Sequence, residues 1–313
     1  MSTYNAECSV GAAIASALAQ TWRPIEIVVV DDCSSDSTPR ILRRLASVHP
    51  ELRLFFNSVN SGVGATRNRI LEESKGEFLA FFDDDDESLP NRIAEQYIRI
   101  VDYEKNYRNG ELIVCHTARR LIYPNGETRF EPTMGQNLKA LAPAGKAVAH
   151  MILMGAPLKN GNGSCPTCSQ MARLSTYRSV GGFDPLLRRG EDTDFNIRIA
   201  IAGGHFVGIE SALVIQNMTK TSDKSLFEEY RNNLILLEKH KSIIEAEGQY
   251  SFCREWLDIK FLWLDKKYFQ FGHKLLALFF HSPLITIKRL RRSVPNFGLN
   301  QAFSKFHRLN VKR

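Results

Sequence analysis

Five consecutive carboxylates, Asp83, Asp84, Asp85, Asp86 and Glu87, follow the apolar run Phe78 to Phe82. Like charges packed into one turn repel, and a hard divalent cation such as Mg²⁺ or Mn²⁺ relieves that repulsion, commonly by sharing one or two carboxylates with phosphate oxygens. A solvated acidic turn is the plainer reading. Placement at the end of a buried strand, where open α/β sheets bind ligands, favours the metal. A second acidic pair, Asp31-Asp32, ends the run IEIVVV and should open onto the same crevice. A carboxylate there can accept from a base N–H or a ribose hydroxyl; a helix N-cap by Asp32 or Ser34 is the structural alternative. A third pair, Glu191-Asp192, heads a helical pattern, where first-turn acids complement a helix dipole. Cys165 and Cys168 lack the second CxxC that a structural zinc would need, and read as two ordinary thiols.

The elements that must hold these groups alternate. Val10, Ile14 and Leu18 recur every four positions in a helix from Ala6 to Gln20 with Asn5 as its cap. Strand Ile25 to Val30, helix Arg40 to Val48, strand Leu52 to Phe56, helix Ala65 to Ser74 and strand Phe78 to Phe82 follow. That order implies a mostly parallel sheet flanked by helices, in the α/β class. Only Met1 to Asn5 precede the first helix, so the first strand is missing or truncated. Met1 reads as an internal methionine of a longer frame, which an in-frame stop just upstream would exclude. Further on, Asn91 to Tyr107 is helical, Leu112 to Cys115 and Arg120 to Tyr123 are short strands, Glu191 to Ala202 is a helix and Phe206 to Ile215 a strand. Trp256, Phe261, Trp263 and Phe269 fall at helical spacings and read as core.

Composition bounds the function. The 313 residues are 43% apolar and 24% charged, which excludes disorder and a polytopic membrane protein. Net charge is +7, yet no acid follows Asp265, while residues 266–313 hold 11 Lys/Arg. The body is therefore slightly acidic and the tail strongly basic. Six scattered cysteines indicate a reducing compartment, and MSTYNAECSV lacks a secretory pattern. Basic and apolar helices in the tail suit an anionic membrane surface on its cytoplasmic face. Nucleic acid also attracts cations, but the tail has no recognised nucleic-acid fold, so none is expected as a partner.

The segments STYNAE, VVVDDCSSDSTPRIL, NSGVGATRN, KGEFLAFFDDDDESLPNRI and GGFDPLLRRGEDTDFNIR together resemble, in order, the inverting family 2 glycosyltransferases of GT-A fold. The likeness covers residues 1 to about 220 and implies a nucleotide-sugar glycosyltransferase domain over 1–220, with a helical basic extension over 221–313. It implies that Ser2, Tyr4 and Asp32 hold the nucleotide base, that Asp83 and Asp84 lie near the ribose, and that Asp85, with Asp83, ligates the metal on the donor diphosphate. Arg67 matches a position lining the donor site, with a structural ion pair as its other role. Asp192 matches the catalytic base, and Glu191 orients it or meets the acceptor. The expected donor is a nucleotide diphosphate sugar, UDP-linked by family habit, and the acceptor a glycan or a lipid-linked molecule. A catalytically inactive nucleotide-sugar-binding or membrane scaffold is the alternative. The family's basic residue after the base helix has no clear counterpart in IQNMTKTSDKS, where Lys220 or Lys224 would substitute.

Overall fold

In the computed structural model, which describes residues 1–107, 112–218 and 225–293, three strands form a parallel sheet. They are β1 (Ser2–Thr3), β2 (Ile27–Asp31) and β3 (Leu52–Phe56), paired in that order. Helices α1 (Val10–Leu18), α2 (Thr38–Ala46) and α3 (Val63–Glu73) alternate with them. Every residue of β2 is buried, as in a strand covered on both faces. Val10, Ile14 and Ala17 of α1 and Leu42 of α2 share one core with Ile27 and Val29. Helix α1 starts four residues later than its apolar spacing predicts, because Asn5 does not cap it. Asn5 adopts φ 49° and its Oδ1 accepts from the Ser35 N–H at 2.9 Å, tying the first turn to the loop after β2.

The first strand is short, as read. The Met1 ammonium donates to the Val28 carbonyl at 2.7 Å, and burial pushes its pKa down to about 5. A cavity of about 420 Å³ opens beside it, lined by Met1, by Ile25 to Val28 and by Phe78 to Ala80.

The second sheet is mixed. It contains β4 (Phe78–Ala80), β5 (Glu87–Ser88), β6 (Ile113–Ile122), β7 (Thr128–Glu131), β8 (Gln170–Arg173) and β9 (His205–Asn217), in the order β4-β8-β6-β9-β5 with β7 paired to β6. Only β6 and β9 run parallel among these pairs. The two short strands read from the sequence are one strand of ten residues, β6. Its polar His116, Thr117 and Arg119 are buried, which breaks the apolar pattern that marks a strand. Helix α4 (Arg92–Asn106) covers this sheet through Ile100 and Tyr103, which pack with Ile113, Cys115, Met171 and Val207. A parallel bridge between Ser2 and Asp83 links the two sheets, so the N-terminus lies beside the acidic turn.

The chain divides into two compact units, residues 1–151 with 157–219 and residues 152–156 with 220–313. Among its described residues the second unit is helical. Its main helices are α8 (Leu226–Lys239), α9 (Lys241–Ala246), α10 (Tyr250–Leu264), α11 (Tyr268–His281) and α12 (Pro283–Ser293), numbered after α5 (Lys146–Met154), α6 (Leu174–Ser179) and α7 (Glu191–Ile201). Asp258 accepts from Tyr230 Oη at 2.6 Å and Lys274 Nζ at 2.8 Å, joining α8, α10 and α11. Phe261 lies against Tyr230 and Trp263 against Phe271, with ring centroids 4.6 and 5.0 Å apart. Phe269 is a correction to the core reading: it is 90% exposed. Helix α11 buries Leu278, nine residues on and therefore half a turn round the helix from Phe269. Among the described residues no helix is long and apolar enough to cross a membrane.

Candidate active site

The acidic turn is held open by a buried cation behind it. Arg92, fully buried at the start of α4, donates to the Phe81 carbonyl, to Ser88 Oγ and to Gln96 Oε1 at 2.8 to 3.0 Å. Phe81 and Ser88 flank the turn, so one guanidinium clamps both of its ends. Within the turn each carboxylate has its own environment. Asp84 Oδ2 accepts from the Tyr4 N–H at 3.0 Å, which docks the N-terminal segment onto the turn. Burial raises the Asp84 pKa to about 6. Burial, with Asp83 and Asp85 close by, raises Asp86 to about 8. Asp86 Oδ1 accepts from the Asn217 N–H at 3.0 Å, while its Oδ2 is buried without a hydrogen-bond partner. Asn217 Nδ2 also donates to the Asp85 carbonyl at 2.8 Å.

A hard divalent cation fits the carboxylates of this turn, not the Cys168 thiol beside them. Ligand atoms of Asp83, Asp86 and Cys168 lie within 4.8 Å of one another, and the unpartnered Asp86 oxygen and the raised carboxyl pKa values mark negative charge that nearby protein does not neutralise. Asp85 falls outside this trio. Burial holds the Cys168 thiol well above its ordinary pKa and Cys165 at about 12, so both are inert thiols.

Helix α3 connects the turn to α7 and to the loops around it through three successive residues. Arg67 is buried, its guanidinium 5.8 and 5.5 Å from the ring centroids of Phe81 and Phe183. It pairs with Glu191 at 2.6 Å and with Asp83 at 3.2 Å. Asn68 exchanges two hydrogen bonds with the Phe183 backbone, both 2.7 Å, and fixes the GGFDP loop. Gly182 in that loop has φ +67°, and a Cβ there would stand 2.4 Å from Asn68 Oδ1, so the close approach requires glycine. Arg69 donates to the Phe56 carbonyl and to Asn57 Oδ1 at 2.8 and 2.6 Å.

Asp32 accepts from Asn57 Nδ2 and the Ser61 N–H on one oxygen and from the Gly62 N–H on the other, at 2.8 to 2.9 Å. It caps no helix side-on; its carboxylate gathers the 57–62 loop against the end of β2. Replacing Asp32 with alanine should cost about 2–3 kcal/mol, since buried charged hydrogen bonds are among the stronger ones. Chemical denaturation measures this, and a loss below half that size would mean the loop holds without it.

The third acidic pair begins α7. Gly190 takes φ 78° just before it, in the left-handed region. Glu191 is buried with its carboxylate on Arg67, and burial raises its pKa. Asp192 is half-buried, and its Oδ1 accepts from its neighbour Thr193, from N–H at 2.6 Å and Oγ1 at 3.2 Å. Asp194 pairs with Arg198 at 2.8 Å, and Arg198 donates on to the Gly182 carbonyl at 2.6 Å.

Ser2, Tyr4, Arg67, Asp83, Asp84 and Glu191 are thus joined by bridges, hydrogen bonds and ion pairs into one connected cluster. Asp85 and Asp192 are sequence neighbours of its members, and Asp32 holds the 57–62 loop instead. Of the two roles open to Arg67, the ion pair is formed. Arg92, Asn68 and Asn217 escape sequence reading because each acts on groups elsewhere in the chain, Phe81, Phe183 and the Asp85-Asp86 pair, and no local pattern marks those pairings. Lys220 and Lys224 lie outside the described residues.

Comparison with known proteins follows the same lines. Residues 1–151 match the family described as Glycosyl transferase family 2, a span that ends before Glu191 and Asp192. The chain is 27% identical over 216 residues to the putative glycosyltransferase EpsE of Bacillus subtilis, covering 68% of this chain and 69% of that one. It is 38% identical over 99 residues to the succinoglycan biosynthesis protein ExoO of Rhizobium meliloti, covering 32% of this chain and 28% of that one. With most of the curated relatives it matches, the chain spans only about a third of their length. Among solved structures, S. aureus TarS 1–349 in complex with UDP-GlcNAc superimposes with a TM-score of 0.56 at 19% identity, covering 74% of this chain and 62% of that one.

Proposed function

We propose that residues 1–151, which match the family described as Glycosyl transferase family 2, form a glycosyltransferase domain of GT-A fold, and that the chain is an inverting glycosyltransferase. It moves a sugar from a nucleotide diphosphate donor, first of all a UDP-sugar, to a hydroxyl of a glycan or a lipid-linked acceptor. The observation that carries the reading is the Arg67 bridge, which joins Asp83 of the acidic turn to Glu191 at the head of α7. UDP is the first nucleotide to test because the TarS structures were solved with UDP and UDP-GlcNAc.

The roles of the residues are those the family resemblance implies. Ser2, Tyr4 and Asp32 hold the base side of the donor, Asp32 by fixing the loop beneath it, and Asp83 and Asp84 face the ribose. Asp83, with Asp85 as the family resemblance implies and with Asp86 close to Asp83, would hold Mg²⁺ or Mn²⁺, which supplies neutralising charge for the departing diphosphate when bound. Asp192 takes the acceptor's proton as the hydroxyl oxygen attacks the anomeric carbon and the sugar–phosphate bond breaks on the opposite face, which inverts the configuration in one displacement. Thr193 engages Oδ1 of Asp192, leaving Oδ2 for that proton. Glu191 is neutralised by Arg67 and orients the helix end.

The second unit attaches the enzyme peripherally to the cytoplasmic face of a membrane, in keeping with a lipid-linked or cell-envelope acceptor. The test of catalysis is a donor screen measuring UDP or GDP release with and without Mn²⁺. We expect metal-dependent release that Asp85→Ala lowers at least a hundredfold, on the order of a lost charge-stabilising interaction. A chain that binds UDP with Mn²⁺ but consumes no donor, across glycan and lipid acceptors, would instead be a nucleotide-sugar-binding scaffold.

A further inference from the structure

We propose that one face of α11, continued onto α12, is the surface that seats in an anionic lipid leaflet; this rests on the peripheral attachment proposed above and assigns its residues. Phe269, His273, Leu276 and Phe280 follow each other at spacings of four, three and four, and so form one stripe along α11. All four are exposed, Phe269 at 90% and Phe280 at 79%. Leu284, 72% exposed, continues the apolar surface at the start of α12, where Ile287, Lys288 and Arg291 share its face. Water is a poor environment for so many large apolar side chains in a row, and such patches mark a contact surface.

Charge identifies what covers it. No Asp or Glu occurs after Asp265. Lys266, Lys288 and Arg291, at the two ends of the stripe, are exposed and make no ion pair among the described residues. An apolar stripe between unpaired cations matches a leaflet that offers acyl chains below a layer of phosphate, where the rings enter the interface and the cations stay among headgroups. The whole stripe spans little more than three turns, long enough to lie in the interface plane. A protein partner would have to present an acidic rim around an apolar groove of that length; a bilayer containing anionic lipid presents it everywhere.

The experiment is flotation of the full chain with phosphatidylcholine vesicles, with and without phosphatidylglycerol, beside two sets of exposed-residue variants that leave the packed face untouched. We expect binding only when phosphatidylglycerol is present. Phe269→Ser with Phe280→Ser should lower the partition coefficient roughly a hundredfold, about tenfold for each ring withdrawn from the interface. Lys288→Gln with Arg291→Gln should weaken binding and flatten its salt dependence. A Phe280→Trp variant should shift its emission to the blue on vesicles. If the wild-type chain floats and the serine pair floats equally well, attachment lies elsewhere and this assignment fails while peripheral attachment stands. If the wild-type chain does not float, both fail. A dimer in sedimentation that the serine pair splits would show a second copy covering the stripe, and would overturn the assignment.

Discussion

Asp192→Asn is expected to lower kcat by roughly 10²–10⁴-fold, the range a positioned general base contributes, with little change in donor binding. The amide is nearly isosteric, and its oxygen can still accept from Thr193, so the first turn of α7 keeps its hydrogen bonds. What disappears is the ability to take a proton as the acceptor oxygen attacks. On the proposed reading donor affinity belongs to the N-terminal segment and the acidic turn, and should be spared. Steady-state release of the nucleotide, beside a separate measurement of UDP binding, distinguishes the two. Glu191→Gln provides the contrast: it weakens the bond to Arg67 without removing the base, so its kcat should fall less than that of Asp192→Asn. A variant Asp192→Asn that keeps a tenth or more of wild-type turnover would place the base elsewhere, and Glu191 would be the next residue to test.

The fold was legible where apolar periodicity speaks directly. Strand β2 is a β-branched run buried at every position, and its partners alternate with helices whose apolar residues recur at helical intervals. Reading failed where polar residues carry the packing. His116 and Arg119 interrupt β6 although both are buried, because Gln170 meets the His116 ring at 3.0 Å and Ser164 Oγ accepts from Arg119 at 2.7 Å. Such pairings join residues tens of positions apart and leave no local trace. Phe269 failed in the opposite sense. Its spacing from neighbouring aromatics fits a helix, but spacing does not say which face of the helix has something to pack against. The candidate site shows the same division. Its carboxylates stand out by type and by their position after strands, whereas the groups that position them, Arg92, Asn68 and Asn217, are ordinary polar residues until the chain is folded.

Replacing Arg67 with methionine should cost about 3–5 kcal/mol at pH 8, the range for breaking a buried pair by removing one partner. Methionine fills similar volume between the rings of Phe81 and Phe183 but leaves Glu191 and Asp83 without their cation. Removal of one partner is costly because the remaining charge cannot regain water. The pH dependence separates this from lost packing. Burial already holds Glu191 above its ordinary pKa even with Arg67 beside it, and without Arg67 the value must rise further. A carboxylate whose folded pKa exceeds its unfolded one weighs against folding most above the folded value. That penalty fades as pH falls towards the unfolded value. The gap in Tm between wild type and Arg67→Met should therefore be widest near pH 8 and shrink towards pH 5, as the buried Glu191 takes up its proton in the folded state. Arg67→Lys should fall between, since an ammonium retains the charge but cannot span two carboxylates with a planar fork. A Tm gap that stays constant from pH 8 to pH 5 would trace the loss to packing against the two rings. It would also remove the electrostatic link that unites the acidic turn with the head of α7, and with it the argument that donor and acceptor chemistry share one crevice.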